Sequence, residues 1–187
     1  MRSVIRETLT QALVAVPALV DRYRDANPDF VPAVTRWLED LERDLGRLRH
    51  PLAGFAASQR AQVFAASDGH HPDTVTGTGR RAQRAVAALV LAAVEPPLRQ
   101  EIADIEAAFA EPQEQLARLV AVAAAHDRIP EERGTREAWL ERIWMALPDG
   151  DGAAGIREYL AARLARVDRL YLLDEVMRNL NGTGGKA

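Results

Sequence analysis

The segment Thr76-Gly77-Thr78-Gly79 runs directly into Arg80-Arg81, and Arg84 follows one helical turn later. A glycine-bearing loop that opens a helix leaves backbone N–H groups unpaired at the positive end of the helix dipole. Three guanidinium groups add formal charge and forked donors, so the chemistry on offer is recognition of an anion. No Lys precedes the Ser/Thr and the spacing is not that of a Walker loop, so nucleotide hydrolysis does not follow. The guests that fit are a nucleic-acid phosphate or an acidic protein surface; the plain alternative is an exposed helix start with solvated Arg. Two further Arg rows extend the theme. Arg36, Arg43 and Arg47 lie near one side of one helix, and Arg163, Arg166 and Arg169 step by three along another beside Tyr159. Glu39, Asp40, Glu42 and Asp44 surround the first row and Asp168 adjoins the second, so both also read as salt-bridged faces of small energetic worth.

Other constellations carry less. Asp68-Gly69-His70-His71-Pro72-Asp73 offers the ligand types that zinc or nickel prefers, yet adjacent His side chains in an extended segment point apart, and a site needs His50 or His126 from elsewhere. Asp149-Gly150-Asp151 begins like a calcium loop and then fails, with Ala153 and Ala154 at its fifth and sixth positions and Leu160 at its twelfth. The pairs Glu39/Glu42 and Glu101/Asp104 are placed so that two facing helices hold Mg²⁺ against a phosphate chain, an arrangement that resembles the all-α nucleoside triphosphate pyrophosphohydrolases. This is the alternative function: a metal-dependent, phosphohydrolase-like enzyme with acidic or His residues inside the bundle. Glu39 also faces Arg43 at i, i+4, as on any solvated helix. The expectation is no catalytic residue, no metal and no cofactor.

Helices must position all of these groups, since period 3.6 dominates and strand patterning is nearly absent. Ile5, Leu9, Leu13, Val16, Val20 and Tyr23 predict one helix kinked at Pro17. Asn27 as N-cap and Pro28 at the first position open a second, carried by Phe30, Val34, Trp37, Leu41, Leu45 and Leu48 as far as His50-Pro51. Phe55, Val63 and Phe64 anchor a third over 52–66, and 67–79 reads as a loop. Val86, Leu89, Val90 and Val94 face inward on a helix over 80–94. Pro96-Pro97 end it and start another over 98–110, and Pro112 begins a further one through Ala125. Thr135 caps a helix over 136–147, in which Trp139 and Trp144, about 140° apart, predict one core residue and one that is exposed or at an interface. A long helix over 156–180 is capped by Asn181-Gly182. The fold class is all-α, a bundle of seven to eight helices in one domain over 1–180, with sub-bundles over 1–66 and 80–180 and a flexible tail over 181–187.

Of the 24 basic residues, Lys186 is the only Lys, so no catalytic Lys is at hand. The net charge of −3 gives no global attraction to nucleic acid or anionic membrane, so any phosphate contact is local. Absence of Cys excludes disulfides and thiolate sites. The longest apolar run, over 85–94, is half of a membrane span, and the first residues lack a secretory pattern, so a soluble, unprocessed cytoplasmic protein is expected.

In size, all-helical character, Arg in place of Lys and lack of a catalytic motif, the chain resembles the small helical subunit of CRISPR effector ribonucleoproteins of antiviral defence. The resemblance implies no enzymatic activity, self-association in a row, other protein subunits as partners, and contacts to RNA or DNA backbone from Arg80, Arg81, Arg84, Arg163 and Arg166. The function expected is a non-enzymatic subunit of a larger assembly that meets nucleic-acid phosphates or an acidic protein surface through Arg-rich helix faces.

Overall fold

The computed structural model describes residues 1–148 and 155–183. Among these there are seven α-helices, one 3-10 turn and no strand, so the chain is all-α. Asp149-Gly150-Asp151, weighed above as a calcium loop, and the last residues 184–187 with Lys186 lie outside the described residues. The chain divides into two compact units, one of Val4–Ala103 and one of Met1–Ser3 with Asp104–Ala187.

In the first unit, α1 (Arg2–Arg24) runs through Pro17 as a single helix. It buries Leu9, Val16 and Leu19, while Val20 and Tyr23 of the expected stripe stay partly exposed. By length and composition, α1 is the one helix among the described residues that is apolar enough to cross a membrane; here its buried side chains join the core, and Trp37 Nε1 donates to the Ala12 carbonyl at 3.0 Å. Helix α2 (Phe30–Arg47) carries the clearest stripe, with Phe30, Val34, Trp37, Leu38, Leu41 and Leu45 all buried. Its regular helix starts at Phe30, three residues after Asn27, whose side chain accepts from Asp29 N at 2.8 Å, the bond an N-cap makes two residues on. α3 (Leu52–Ala65) packs back on α2 through Ala56 and Val63. Val63 inward turns its neighbour Phe64 outward by about 100°, leaving that ring 50% exposed where an inward anchor was expected.

A 3-10 turn (Ala66–Asp68) and a loop lead to α4 (Gly79–Ala125), a single helix of 47 residues where three were expected. Pro96, Pro97 and Pro112 lie within it. Each interior proline removes one backbone hydrogen bond and costs about 3 kcal/mol or more. The inward stripe passes them without interruption: Ala82, Val86, Val90, Val94 and Leu98 step by four in the first unit, and Phe109, Leu116 and Val120 continue in the second. Burying each such Val or Leu contributes about 1.5–3 kcal/mol, so packing along the whole helix outweighs the breaks. Leu89, expected inward, is half exposed.

In the second unit, Thr135 caps α5 (Arg136–Ala146) as its position predicts, accepting from Ala138 N at 3.2 Å. Both Trp139 and Trp144 are buried, which corrects the assignment of one to an exposed or interface position. Trp139 Nε1 donates to the Pro130 carbonyl at 2.8 Å, and the Arg169 guanidinium covers Trp144 at 4.7 Å from its ring centre. The expected long C-terminal helix is two, α6 (Ile156–Arg163) and α7 (Arg166–Thr183), parted at Leu164, whose backbone is extended. No Gly or Pro marks that break, but charge does: Arg163 closes the last turn of α6 and Asp168 stands in the first turn of α7, the signs each helix end favours. α7 then continues through Asn181-Gly182 instead of ending there.

Asp168 does more than complement a dipole. Buried to 3% exposure, its carboxylate accepts from the Met1 ammonium (2.6 Å), from Arg2 N (3.1 Å), and from Ser3 N and Oγ (2.8 and 2.7 Å), so α7 supplies the N-terminal cap of α1. Burial pushes this carboxyl up, and the donors more than offset it, leaving it below the ordinary Asp range.

Candidate functional site

The loop before α4 is anchored by Val75, which is buried in the first unit's core while its N–H donates to the Pro72 carbonyl at 2.9 Å. Gly77 has φ +109°, a conformation that L side chains rarely adopt, and a Cβ there would come within 3.3 Å of Arg81 Cδ. The stem of Arg81 therefore lies against a bare glycine, and Gly79, at φ +57°, starts the helix. The glycines of the motif set both the turn and the lie of an Arg.

The three Arg of the motif then part ways. Arg84 is engaged at home: Nη1 donates to the Asn27 carbonyl at 2.8 Å, and Nη2 to those of Tyr23 and Arg22 at 2.6 and 3.4 Å. Its guanidinium lies 5.1 and 5.2 Å from the Tyr23 and Phe30 ring centres. It adds a cation to the negative end of α1, whose Tyr23 and Arg22 carbonyls also accept from Ala26 N at 3.2 Å and Asn27 N at 3.0 Å, with Ala26 at φ +53°. Arg80 and Arg81 are exposed and form no ion pair or side-chain hydrogen bond with the described residues.

Arg80 also stands on a cavity of about 530 Å³ in the first unit. Pro28, Val31 and Pro32 from the start of α2 and Phe64 from α3 give it an apolar lining. Gln83 and Arg84 complete it, and both have donors already committed, since Gln83 Nε2 bonds the Val63 carbonyl at 3.3 Å. Arg36, exposed and without a partner among the described residues, lies one turn beyond Pro32 on α2. The cavity escapes sequence reasoning because Phe64 reads as core. Only the helical phase set by Ala56 and Val63 turns it outward.

The second pair of predicted residues is neutralised within its unit. Arg166 Nε donates to Glu141 at 2.5 Å and Nη2 to Glu137 at 2.7 Å, which raises the guanidinium's already high pKa. Arg163 donates to the Tyr159 hydroxyl at 2.6 Å, covers that ring at 5.5 Å and lies 3.7 Å from Glu111. Of the α2 row, Arg43 is held by Asp40 and Asp44, and Arg47 lies 3.6 Å from Asp44.

The groups considered for metal chemistry are dispersed. Glu42 pairs with Arg60 at 2.8 Å, and Glu101 lies 3.3 Å from His50 Nε2. His126 Nδ1 lies 2.9 Å from the Val122 carbonyl, and His71 Nδ1 lies 3.3 Å from that of Pro72. Among the described residues no three of His, Asp and Glu gather where they could hold an ion. Comparison with protein-family models, curated proteins and solved structures finds no match to this chain.

Proposed function

We propose that this chain is a non-enzymatic helical subunit of a larger assembly, and that it meets an acidic protein surface through Arg80 and Arg81. One observation carries the reading. Most of the chain's Arg pair with carboxylates or backbone carbonyls, whereas these two, at a glycine-defined helix start, keep their forked donors open. A nucleic-acid strand presents a phosphate at every nucleotide and rewards a continuous basic row. Of the two rows that could supply it, Arg43, Arg47, Arg163 and Arg166 face Asp and Glu and Arg169 covers Trp144, which leaves Arg36 alone, and the net charge is −3. A local cluster of carboxylates matches two adjacent guanidinium groups better.

The test is fluorescence anisotropy with a labelled oligoglutamate peptide and a labelled single-stranded RNA of equal length, at low and at moderate salt. Salt-dependent binding of the peptide, weakened about tenfold by Arg80→Glu with Arg81→Glu, supports the reading. Binding of neither probe, or peptide binding indifferent to the substitutions, overturns it. Tighter binding of the RNA transfers the site to nucleic acid.

A further inference from the structure

We infer that the site takes an apolar side chain together with its carboxylates: the cavity beside Arg80 docks a short acidic segment of a partner protein that carries one aromatic or branched aliphatic residue. The inference rests on the acidic-partner reading above and adds the part of the partner that Phe64 sees.

Phe64 is 50% exposed on a helix whose neighbouring position, Val63, is fully buried. A half-exposed ring loses the benefit of burial until something covers it. Here it shares a cavity of about 530 Å³ with Pro28, Val31 and Pro32. Two of these are prolines, whose fixed backbone presents a firm apolar wall at little entropic cost on binding. The volume is in the range of cavities that hold a ligand group.

Charge selects the occupant. The only charged side chains on the lining are Arg80 and Arg84, and Arg84 has its donors on the α1 carbonyls. Arg80 is thus the open donor on the lining, with Arg81 next to it in sequence and Arg36 one turn beyond Pro32. An occupant without acceptors would leave these cations unanswered, and one without an apolar group would leave the ring and prolines wet. A segment with an apolar residue flanked by Asp or Glu satisfies both.

The experiment pans a displayed library of random dodecapeptides on the full chain, then measures the enriched peptides by anisotropy against wild type, Phe64→Ser, and Arg80→Glu with Arg81→Glu. Phe64 is 50% exposed, so the Ser variant is expected to fold, which circular dichroism checks before binding is measured. We expect enriched peptides with an aromatic or branched residue beside Asp or Glu, weakened about tenfold by either change. An Arg effect with full affinity for Phe64→Ser overturns this inference and leaves the acidic-partner reading standing. Peptides bound equally by all three proteins, peptides lacking acidic residues, or no enrichment overturn it as well. Should Phe64→Ser unfold the chain, Phe64→Leu, which keeps an apolar surface, must retain binding, and its loss counts against the inference.

Discussion

The start of α4 and the junction of α6 with α7 look alike as sequence, each a short run of Arg at the edge of a helix, yet at one the guanidinium groups meet carboxylates and at the other two of them keep their donors open. At the junction, Glu137 and Glu141 on α5 take Arg166, and Tyr159 and Glu111 take Arg163. At the start of α4, backbone carbonyls of Arg22, Tyr23 and Asn27 take Arg84, and Arg80 and Arg81 are left over. Availability of a guanidinium is therefore decided by what the neighbouring element places opposite it, and not by the local motif. A cation that completes a helix end is structural even when it sits inside an anion-binding pattern.

Substitutions should separate structural from open charges, and the largest effect belongs to the buried one. Replacing Asp168 by Ala strands the N–H groups of Arg2 and Ser3 and the Met1 ammonium, and should cost about 3 kcal/mol in denaturant unfolding. Its pKa is lowered in the folded state, so its contribution is present above the ordinary Asp range and is lost as pH falls through the lower, folded value. Wild type should accordingly lose stability on acidification more steeply than Asp168→Asn; parallel profiles would show that the cap is unimportant. Next comes Arg84→Met, which keeps the stem but removes the charged donor from the Tyr23, Arg22 and Asn27 carbonyls while their backbone bonds remain, with an expected loss of about 1.5 kcal/mol measured the same way. A neutral outcome there would return Arg84 to the open set.

The all-α class and α2 follow from periodicity alone, because one unbroken stripe from Phe30 to Leu45 leaves no competing phase. α4 reads from its sequence as three helices, because Pro96-Pro97 and Pro112 are local stop signals, whereas the buried stripe continues past them. The Gly77 to Arg81 motif reads as a glycine turn that opens a helix, and the structure has one there, with Gly77 at φ +109° and α4 starting at Gly79. It did not announce which Arg is spent, because the acceptors of Arg84 lie 57 to 62 residues away. Nor did it announce Phe64, whose exposure depends on the packing of α3 on α2.

The most direct test sets the two Arg runs side by side. Arg80→Gln with Arg81→Gln, and separately Arg163→Gln with Arg166→Gln, are compared with wild type for thermal stability and for oligoglutamate binding at low salt. The first pair should leave stability within about 0.5 kcal/mol of wild type and weaken binding about tenfold. The second should lower stability in a salt-sensitive way and leave binding unchanged. Equal loss of binding from both pairs, or from neither, would contradict the claim that, of the two runs, the start of α4 is the one that offers its charge to a partner.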